Sequence, residues 1–217
     1  MGSLKRFNLK RISRLYNCEY FFETGTWKGD GVAYAAKFHF KKIFSSEIVP
    51  EFAKKAAQRF ESFSSVEIIN QNSLIALENK LPEIDGNCIF WLDAHYPGAD
   101  EGILDYNEEQ QEDIRLPLEK EIELISKRID SYCDVIIIDD LRIYEQGNFK
   151  YGNIPTSIIP PKNRNIDFIF KYFKTSHNIF KSYEDEGYVY LVPKTIFQKE
   201  QFSIFNRLIK KINKQIL

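Results

Sequence analysis

HNIFKSYEDEGYVYLVPK, residues 177–194, is the stretch that decides the fold. It contains two runs rich in β-branched and aromatic residues, and residues 185–187 lie between them as a turn. A crossover between parallel strands needs about a dozen residues, whereas this link has about three, so the two strands are expected to pair antiparallel. The predicted sheet therefore ends in a β-hairpin.

Upstream of this hairpin, short apolar runs alternate with helical patterns. DVIIIDD (134–140) is the clearest strand, because its consecutive β-branched residues can bury both faces of a parallel sheet. The alternation predicts an α/β fold in three layers, a Rossmann-like and mostly parallel seven-stranded sheet with helices on both faces. The predicted strands before the hairpin are 19–23, 42–47, 66–70, 88–93 and 134–140, and the predicted helices are 31–40, 51–60, 73–81, 117–129 and 166–173.

Composition narrows the class of protein. The 217 residues suit one domain, and the formal net charge of −1 gives no electrostatic case for nucleic acid as a partner. The three cysteines are odd in number and form no CxxC motif, which favours a reducing compartment and hence the cytoplasm. No apolar run approaches the ~18 residues of a membrane helix, so no membrane partner is expected. We expect residues 1–195 to form the domain, and 196–217 to form an amphipathic helix packed on it or on the second subunit of a homodimer.

A glycine-containing loop, FFETGTWKGDG (21–31), follows the first predicted strand. In open parallel sheets, ligands bind beyond the carboxyl ends of the strands. The loop departs from the dinucleotide fingerprint, because Gly29 and Gly31 are followed by Tyr34 where a third small residue would stand. Glu23 at the strand tip suits the ammonium of a zwitterionic ligand, and Gly25 lets backbone approach it. The alternative is a strand–helix turn that merely requires glycine.

The second and third strands also end in polar residues. Glu47 follows Glu23 by 24 residues, and an acidic residue at roughly this spacing accepts hydrogen bonds from ribose hydroxyls. In INQNS (69–73), Asn72 or Ser73 caps the next helix or contacts a ligand, and for Asn72 the capping role is at least as well supported.

Acidic residues follow the fourth and fifth strands, in FWLDAHY (90–96) and at Asp139 and Asp140. Neighbouring parallel strands bring Asp93 and this pair to one rim, where the carboxylates repel one another unless a cation or a proton neutralises them. Oxygen ligands of this kind suit Mg²⁺. His95 is a candidate base or further ligand, and the plain alternative is a loop histidine bonded to backbone.

Together these features resemble class I S-adenosylmethionine-dependent methyltransferases. ETGT (23–26) is similar to their first motif, and the resemblance places S-adenosylmethionine over the ends of the first strands. The residues that it implies for cofactor binding are Glu23, Thr24, Gly25, Thr26, Gly29, Glu47, Asn72, Ser73 and Asp93.

A narrower resemblance is to the metal-dependent O-methyltransferases of the catechol and macrocin types. It implies that Asp93, Asp139 and Asp140 hold Mg²⁺, while His95 stands near the place of the catechol enzyme's lysine base. We expect His95 and Asp93 to be catalytic, and the acceptor to contact Tyr96, Arg142 and Tyr144.

The expected activity is O-methylation of a small polar acceptor, such as a sugar or nucleotide-linked intermediate of bacterial capsule or surface-polysaccharide synthesis, with a phosphoryl or phosphoramidate group among the candidates. Two alternatives stay open. One is a metal-dependent nucleotide-sugar glycosyltransferase, and the other is a catalytically silent domain that serves as an interaction module.

Overall fold

A computed structural model describes residues 3–95, 112–155 and 164–194 of the chain. They form one seven-stranded sheet with strand order β3-β2-β1-β4-β5-β7-β6, which confirms the predicted mostly parallel sheet. The strands are β1 (Cys18–Thr24), β2 (Lys42–Ser46), β3 (Val66–Ile69), β4 (Asn87–Leu92), β5 (Val135–Ile138), β6 (His177–Ser182) and β7 (Tyr188–Pro193). The predicted helix within 196–217 and Tyr96 lie outside the described residues.

Helices cover both faces of the sheet. They are α1 (Leu9–Tyr16), α2 (Asp30–Ala35), α3 (Pro50–Arg59), α4 (Ser73–Lys80), α5 (Glu112–Arg115), α6 (Leu118–Ser126) and α7 (Asp167–Phe173). Helix α2 is shorter than the predicted 31–40, since it ends at Ala35 and the chain turns before β2. Pro50 begins α3, as its fixed φ and missing N–H favour at the first helical position.

Each face of the sheet has its own hydrophobic cluster. On one face, alternate residues of the strands pack against α4, α6 and α7, as Phe22, Phe90 and Ile136 illustrate. On the other face, Phe21, Ile89 and others pack against α1 and α2. This alternation follows from the two-residue period of a strand, and it produces the predicted three layers.

The C-terminal hairpin confirms the prediction made from residues 177–194. Strand β7 pairs antiparallel with both β5 and β6, so it inserts between them. The turn holds Asp185 at φ 52° and Gly187 at φ 89°, conformations that suit a tight connection. Buried Asp185 also pairs with Arg6, whose Nη2 lies 2.7 Å from Oδ1.

The N-terminal helix was not among the predicted elements. Helix α1 begins after Asn8, whose side chain accepts a hydrogen bond from the N–H of Arg11 at 3.0 Å. It buries Leu9, Ile12 and Tyr16 against the sheet. Because its polar residues are mostly basic, the segment resembles a solvated tail in composition, although its apolar residues have helical spacing.

None of the helices in the described parts of the chain is long and apolar enough to cross a membrane.

Candidate active site

The candidate site lies at the carboxyl ends of β1 and β4. These neighbours mark the point where the strand order reverses, because β1 leads outward to β2 and β3 while β4 leads to β5. Chain segments that leave adjacent strands in opposite directions open a crevice there, which is where open α/β sheets bind ligands. Most of the predicted site residues follow strands at this rim.

Gly25 fixes the approach of the glycine loop to β4. Its φ is +83°, and a Cβ at this position would lie 2.6 Å from the carbonyl oxygen of Asp93. The N–H groups of Gly25 and Thr26 donate to the carbonyl oxygen of Ser46 at 3.0 and 3.1 Å, which ties the loop to β2. Glycine is therefore required here both for its backbone conformation and for its lack of a side chain.

The side chain of Glu23 is buried among polar groups. Ser45 Oγ donates to Glu23 Oε2 at 2.6 Å, and Thr26 Oγ1 lies 2.6 Å from the same Ser45 Oγ. Burial raises the pKa of Glu23 to about 8, with neighbouring carboxylates adding to the rise. A Cβ at Gly31 would overlap Glu23 Oε1, so this glycine makes the room that the carboxyl group occupies.

Glu47 organises the loop from the side of β2. Its carboxylate accepts the N–H of Trp27 at 2.7 Å through Oε2 and that of Val49 at 2.9 Å through Oε1. Burial raises its pKa, and these backbone donors oppose the rise. Gly29, at φ +79°, precedes α2 and completes the loop. A carboxylate oxygen has two lone pairs, so Glu47 retains acceptor capacity for hydroxyl groups.

Asn72 and Ser73 lie where β3 connects to α4. Asn72 Oδ1 accepts the N–H of Ile75 at 3.0 Å, so the capping role predicted for Asn72 is the one observed. Ser73 is buried, and its hydroxyl bonds to the carboxyl group of Glu121. The side chain of Ser73 is thus directed into the rim and is not a helix cap.

Asp93, His95 and Asp140 form a charged cluster. His95 Nε2 lies 2.8 Å from Asp140 Oδ2, and its Nδ1 lies 3.7 Å from Asp93 Oδ1. Burial alone would lower the pKa of His95, but the charge and hydrogen bond of Asp140, together with Asp93, raise it to about 10. Burial raises the pKa of Asp93 to about 7, against the opposing charge of His95. The imidazolium of His95 therefore supplies positive charge beside Asp93 and Asp140.

Asp139 and Asp140 have different environments although they are adjacent. Asp139 Oδ1 accepts the N–H of Asp140 at 2.9 Å, and burial raises its pKa. Asp140, at φ 57°, pairs with His95 and also with Arg142, whose Nε lies 3.2 Å from Asp140 Oδ1. These cations outweigh burial and lower the pKa of Asp140.

The residues predicted to contact the acceptor have other partners. Arg142 joins Asp140 to Glu186, with Nη2 3.0 Å from Glu186 Oε1, so its charge is engaged inside the protein. Tyr144 is buried in the hydrophobic cluster, and its ring meets Phe168 edge-on with centroids 6.0 Å apart. Both side chains thus have partners inside the protein, although 21% of the Arg142 side chain is exposed, and their contact with an acceptor stays a prediction.

Comparisons with known proteins identify the fold. No protein-family model and no curated protein matches the sequence. Among solved structures, an O-methyltransferase from Bacillus cereus in complex with S-adenosylhomocysteine aligns with TM-score 0.56 at 14% identity, over 89% of this chain and 82% of its own. The chain has the methyltransferase fold. The C-terminal hairpin and the glycine loop had predicted this fold from the sequence.

Two further structures show how widely this methyltransferase fold is used. The O-methyltransferase TomG from Streptomyces achromogenes, involved in tomaymycin synthesis and solved with S-adenosylmethionine, aligns with TM-score 0.50 at 13% identity, over 89% of this chain and 81% of its own. A Clostridium thermocellum protein provisionally described as an rRNA methylase aligns with TM-score 0.56 at 12% identity, over 89% of this chain and 97% of its own.

The predicted magnesium site is not supported by the described residues. Among them, no group of three or more histidine, cysteine, aspartate or glutamate side chains is arranged to hold a metal ion. Asp140 uses one carboxylate oxygen for His95 and the other for Arg142. As the side chains lie, Asp140 is neutralised by protein cations, and the three carboxylates do not fit an octahedral ion that needs convergent oxygens.

Glu121 belongs to the site although the sequence analysis did not select it. It lies on α6 and is 1% exposed, and its carboxyl group bonds to the hydroxyls of Ser73 and Thr24. Burial raises its pKa to about 7, and these hydroxyls oppose the rise. The burial of Glu121 could have been predicted from the sequence, because this residue shares the helical spacing of the apolar residues Leu118 and Ile125.

Proposed function

We propose that the chain is an S-adenosylmethionine-dependent O-methyltransferase that acts on a small polar acceptor. The observation that carries the proposal is the concentration of carboxyl groups around the β1–β4 crevice of a methyltransferase fold. They outnumber the cations His95 and Arg142 that lie among them. The carboxyl groups are those of Glu23, Glu47, Asp93, Glu121, Asp139 and Asp140.

These carboxyl groups select among ligand classes. Burial raises the pKa of several of them, and a cationic ligand would favour their ionised form, whereas an anionic ligand would gain no such partner. S-adenosylmethionine carries a sulfonium and an ammonium group, whereas dinucleotides and nucleotide-sugars carry a pyrophosphate. The same argument disfavours the glycosyltransferase alternative, because its diphosphate would have to compete with Asp140 for the cations at this rim, His95 and Arg142.

Each part of the rim has a binding task in this proposal. Glu23 faces the ammonium end of the cofactor, where the approach of a cation favours its ionised form. Glu47 accepts hydrogen bonds from the ribose hydroxyls. Gly25 keeps the backbone of the loop close to β4, so that the ligand lies directly above the strand ends.

When bound, S-adenosylmethionine supplies an electrophilic methyl group on a cationic sulfur. The residues of the chain align the acceptor and remove its proton. We assign proton acceptance to Asp93, because its side chain is 30% exposed and close to His95, while Asp139 and Asp140 are engaged by other groups. The acceptor oxygen bonds to the methyl carbon as the carbon–sulfur bond breaks, the bonding electrons stay on sulfur, and the acceptor proton passes to Asp93.

His95 is then an electrostatic and positioning group. Its imidazolium, held by Asp140, lies beside Asp93 and stabilises negative charge as the acceptor loses its proton. Alignment and proximity supply much of the remaining rate enhancement for a transfer of this kind. A sugar or nucleotide-linked intermediate of bacterial surface-polysaccharide synthesis is the acceptor class that we propose to screen first, with phosphorylated compounds included.

Calorimetry with S-adenosylhomocysteine tests the cofactor. We expect binding that is unchanged by EDTA and by Mg²⁺, and no binding of NAD or of a nucleotide-sugar. A screen of acceptors with a labelled methyl donor then tests the reaction, and Asp93→Asn should bind S-adenosylhomocysteine but lose turnover by about 100-fold or more. Failure of the wild-type chain to bind S-adenosylhomocysteine would refute the proposal, and binding without any turnover in the screen would favour the silent interaction module.

A further inference from the structure

Glu121 stands at a position that packing alone would give to leucine. Helix α6 buries Leu118, Ile122 and Ile125 in the cluster beneath the sheet, and Glu121 occupies the same side of the helix. Glu119, two residues earlier, is exposed. Burial of a carboxyl group is unfavourable unless its polar atoms have partners, so a chain selected only for packing would not place one here.

One side of the Glu121 carboxyl group is satisfied by hydroxyls. Thr24, the last residue of β1, and Ser73, the first of α4, bond to it. The Thr24 hydroxyl also accepts the N–H of Asp93 at 3.3 Å, so Glu121 is linked to the ends of β1 and β4 at once. The other oxygen, Oε1, is buried and has no hydrogen-bond partner among the described residues.

A second buried polar atom without a partner lies on the same face of the sheet. Ser46, the last residue of β2, is the register partner of Thr24, and its Oγ has no hydrogen-bond partner within the described residues. Paired residues of adjacent strands direct their side chains to the same face. Ser46 is therefore the neighbour of Thr24 on this face, and Thr24 is one of the two residues whose hydroxyls bond to the Glu121 carboxyl group.

Two buried polar groups that both adjoin Thr24 define a recognition pattern. A carboxylate oxygen accepts a hydrogen bond, and a serine hydroxyl can donate one. An aminopurine presents the complementary pair, an exocyclic amino donor beside a ring-nitrogen acceptor, whereas a 6-oxopurine presents an oxygen acceptor at the same position. With the ribose at Glu47, the base would extend towards Ser73, which contacts Glu121.

We propose that Glu121 is a specificity-determining residue that accepts a hydrogen bond from the exocyclic amino group of a bound aminopurine, with Ser46 donating to its ring nitrogen. The inference rests on the proposed function, because it concerns the base of S-adenosylmethionine. It extends that function by assigning base selectivity to a residue of α6, outside the glycine loop and the strand-end acids.

The test compares S-adenosylhomocysteine with S-inosylhomocysteine, which carries an oxygen in place of the amino group. By calorimetry, the wild-type chain should prefer the adenine ligand by about 10- to 100-fold, the range for loss of one hydrogen bond to a charged group. In Glu121→Gln, an amide N–H can face the ligand oxygen, so the preference should fall below about threefold. Glu119→Gln makes the same change on the exposed side of α6 and should keep the wild-type preference.

The outcomes separate the two proposals. If the wild-type chain binds neither ligand, the proposed function fails and this inference fails with it. If the wild-type chain discriminates and Glu121→Gln discriminates equally, Glu121 does not read the base and only this inference is overturned. Should Glu121→Gln fail to fold, Glu121→Leu preserves the apolar side of α6, and its expected result is loss of at least tenfold in affinity for S-adenosylhomocysteine with little discrimination left.

Discussion

Replacement of Gly25 by alanine would test whether the glycine loop must touch β4. The added Cβ would lie 2.6 Å from the carbonyl oxygen of Asp93, 3.0 Å from its carbonyl carbon and 3.2 Å from the N of Ala94. All of these are backbone atoms of the segment that carries His95. Relief of the overlap therefore requires the loop and the end of β4 to separate, since no flexible side chain can move aside.

Two effects determine how much stability Gly25→Ala is expected to lose. A φ of +83° costs alanine about 1–2 kcal/mol relative to glycine. Ordinary contact begins near 3.4 Å, so the backbone must separate by about 0.8 Å (3.4 minus 2.6), and overpacking of this kind costs about 1–3 kcal/mol. We expect Gly25→Ala to lower the free energy of unfolding by about 2–5 kcal/mol and to weaken S-adenosylhomocysteine binding.

Gly152→Ala is the matched control. Gly152 has a φ of +79°, and a Cβ there would meet nothing within 4 Å, so this variant retains the conformational cost without the overlap. Urea unfolding should show a loss of only about 1–2 kcal/mol for Gly152→Ala. Equal losses in the two variants would refute the argument that contact with β4 makes glycine necessary at position 25.

Three further predictions address charge. Glu23 has a pKa of about 8 in the folded chain against an ordinary value of 4.5, so its contribution to stability is full below about pH 4.5 and is lost as pH rises through 8. Glu23→Gln should therefore gain stability relative to wild type by about 1.4 kcal/mol per pH unit within that window in urea unfolding, and parallel curves would contradict this. Arg128→Met leaves the buried Asp134 carboxylate, 2.8 Å from Arg128 Nε in the native chain, without its cation and should cost about 3–5 kcal/mol; a loss below about 1 kcal/mol would show that the pair is not required. Asp140→Asn should lower the pKa of His95 from about 10, which NMR titration of the imidazole would detect, and an unchanged titration would show that Asp140 does not control it.

The fold could be predicted from sequence because its decisive features are local. The β-branched run before Asp139 and the three-residue link at Asp185 each determine a pairing through the geometry of a strand or a turn. Insertion of β7 between β5 and β6 was not predicted, because an antiparallel hairpin alone allows either of its strands to lie beside β5. Helix α1 was not predicted because most of its residues are polar and basic, and only a few apolar residues show the helical spacing.

The site was predicted less completely because it depends on contacts between distant residues. That Glu23, Asp93 and Asp140 share one rim follows from strand ends in a parallel sheet. The partner of Arg142 cannot be predicted in this way. Glu186 lies 44 residues away in sequence, and it lies beside Arg142 only because β7 pairs with β5. Local sequence predicted that Arg142 contacts the acceptor, whereas long-range pairing places its guanidinium between two internal carboxylates.

The turn between β6 and β7 also determines when the candidate site can be completed during folding. Arg142 follows β5, but its partner Glu186 reaches the sheet only when β7 has paired with β5. Until then β5 is an edge strand with open backbone groups, and Asp140 lacks the guanidinium anchored by Glu186. Contacts of such large sequence separation form late, because the entropy of closing the intervening loop must first be overcome. A nascent chain that has not yet released residues 177–193 from the ribosome therefore holds the glycine loop and the strand-end acids without the arrangement that joins them. Under the proposed function, methyl transfer would report completion of the whole sheet.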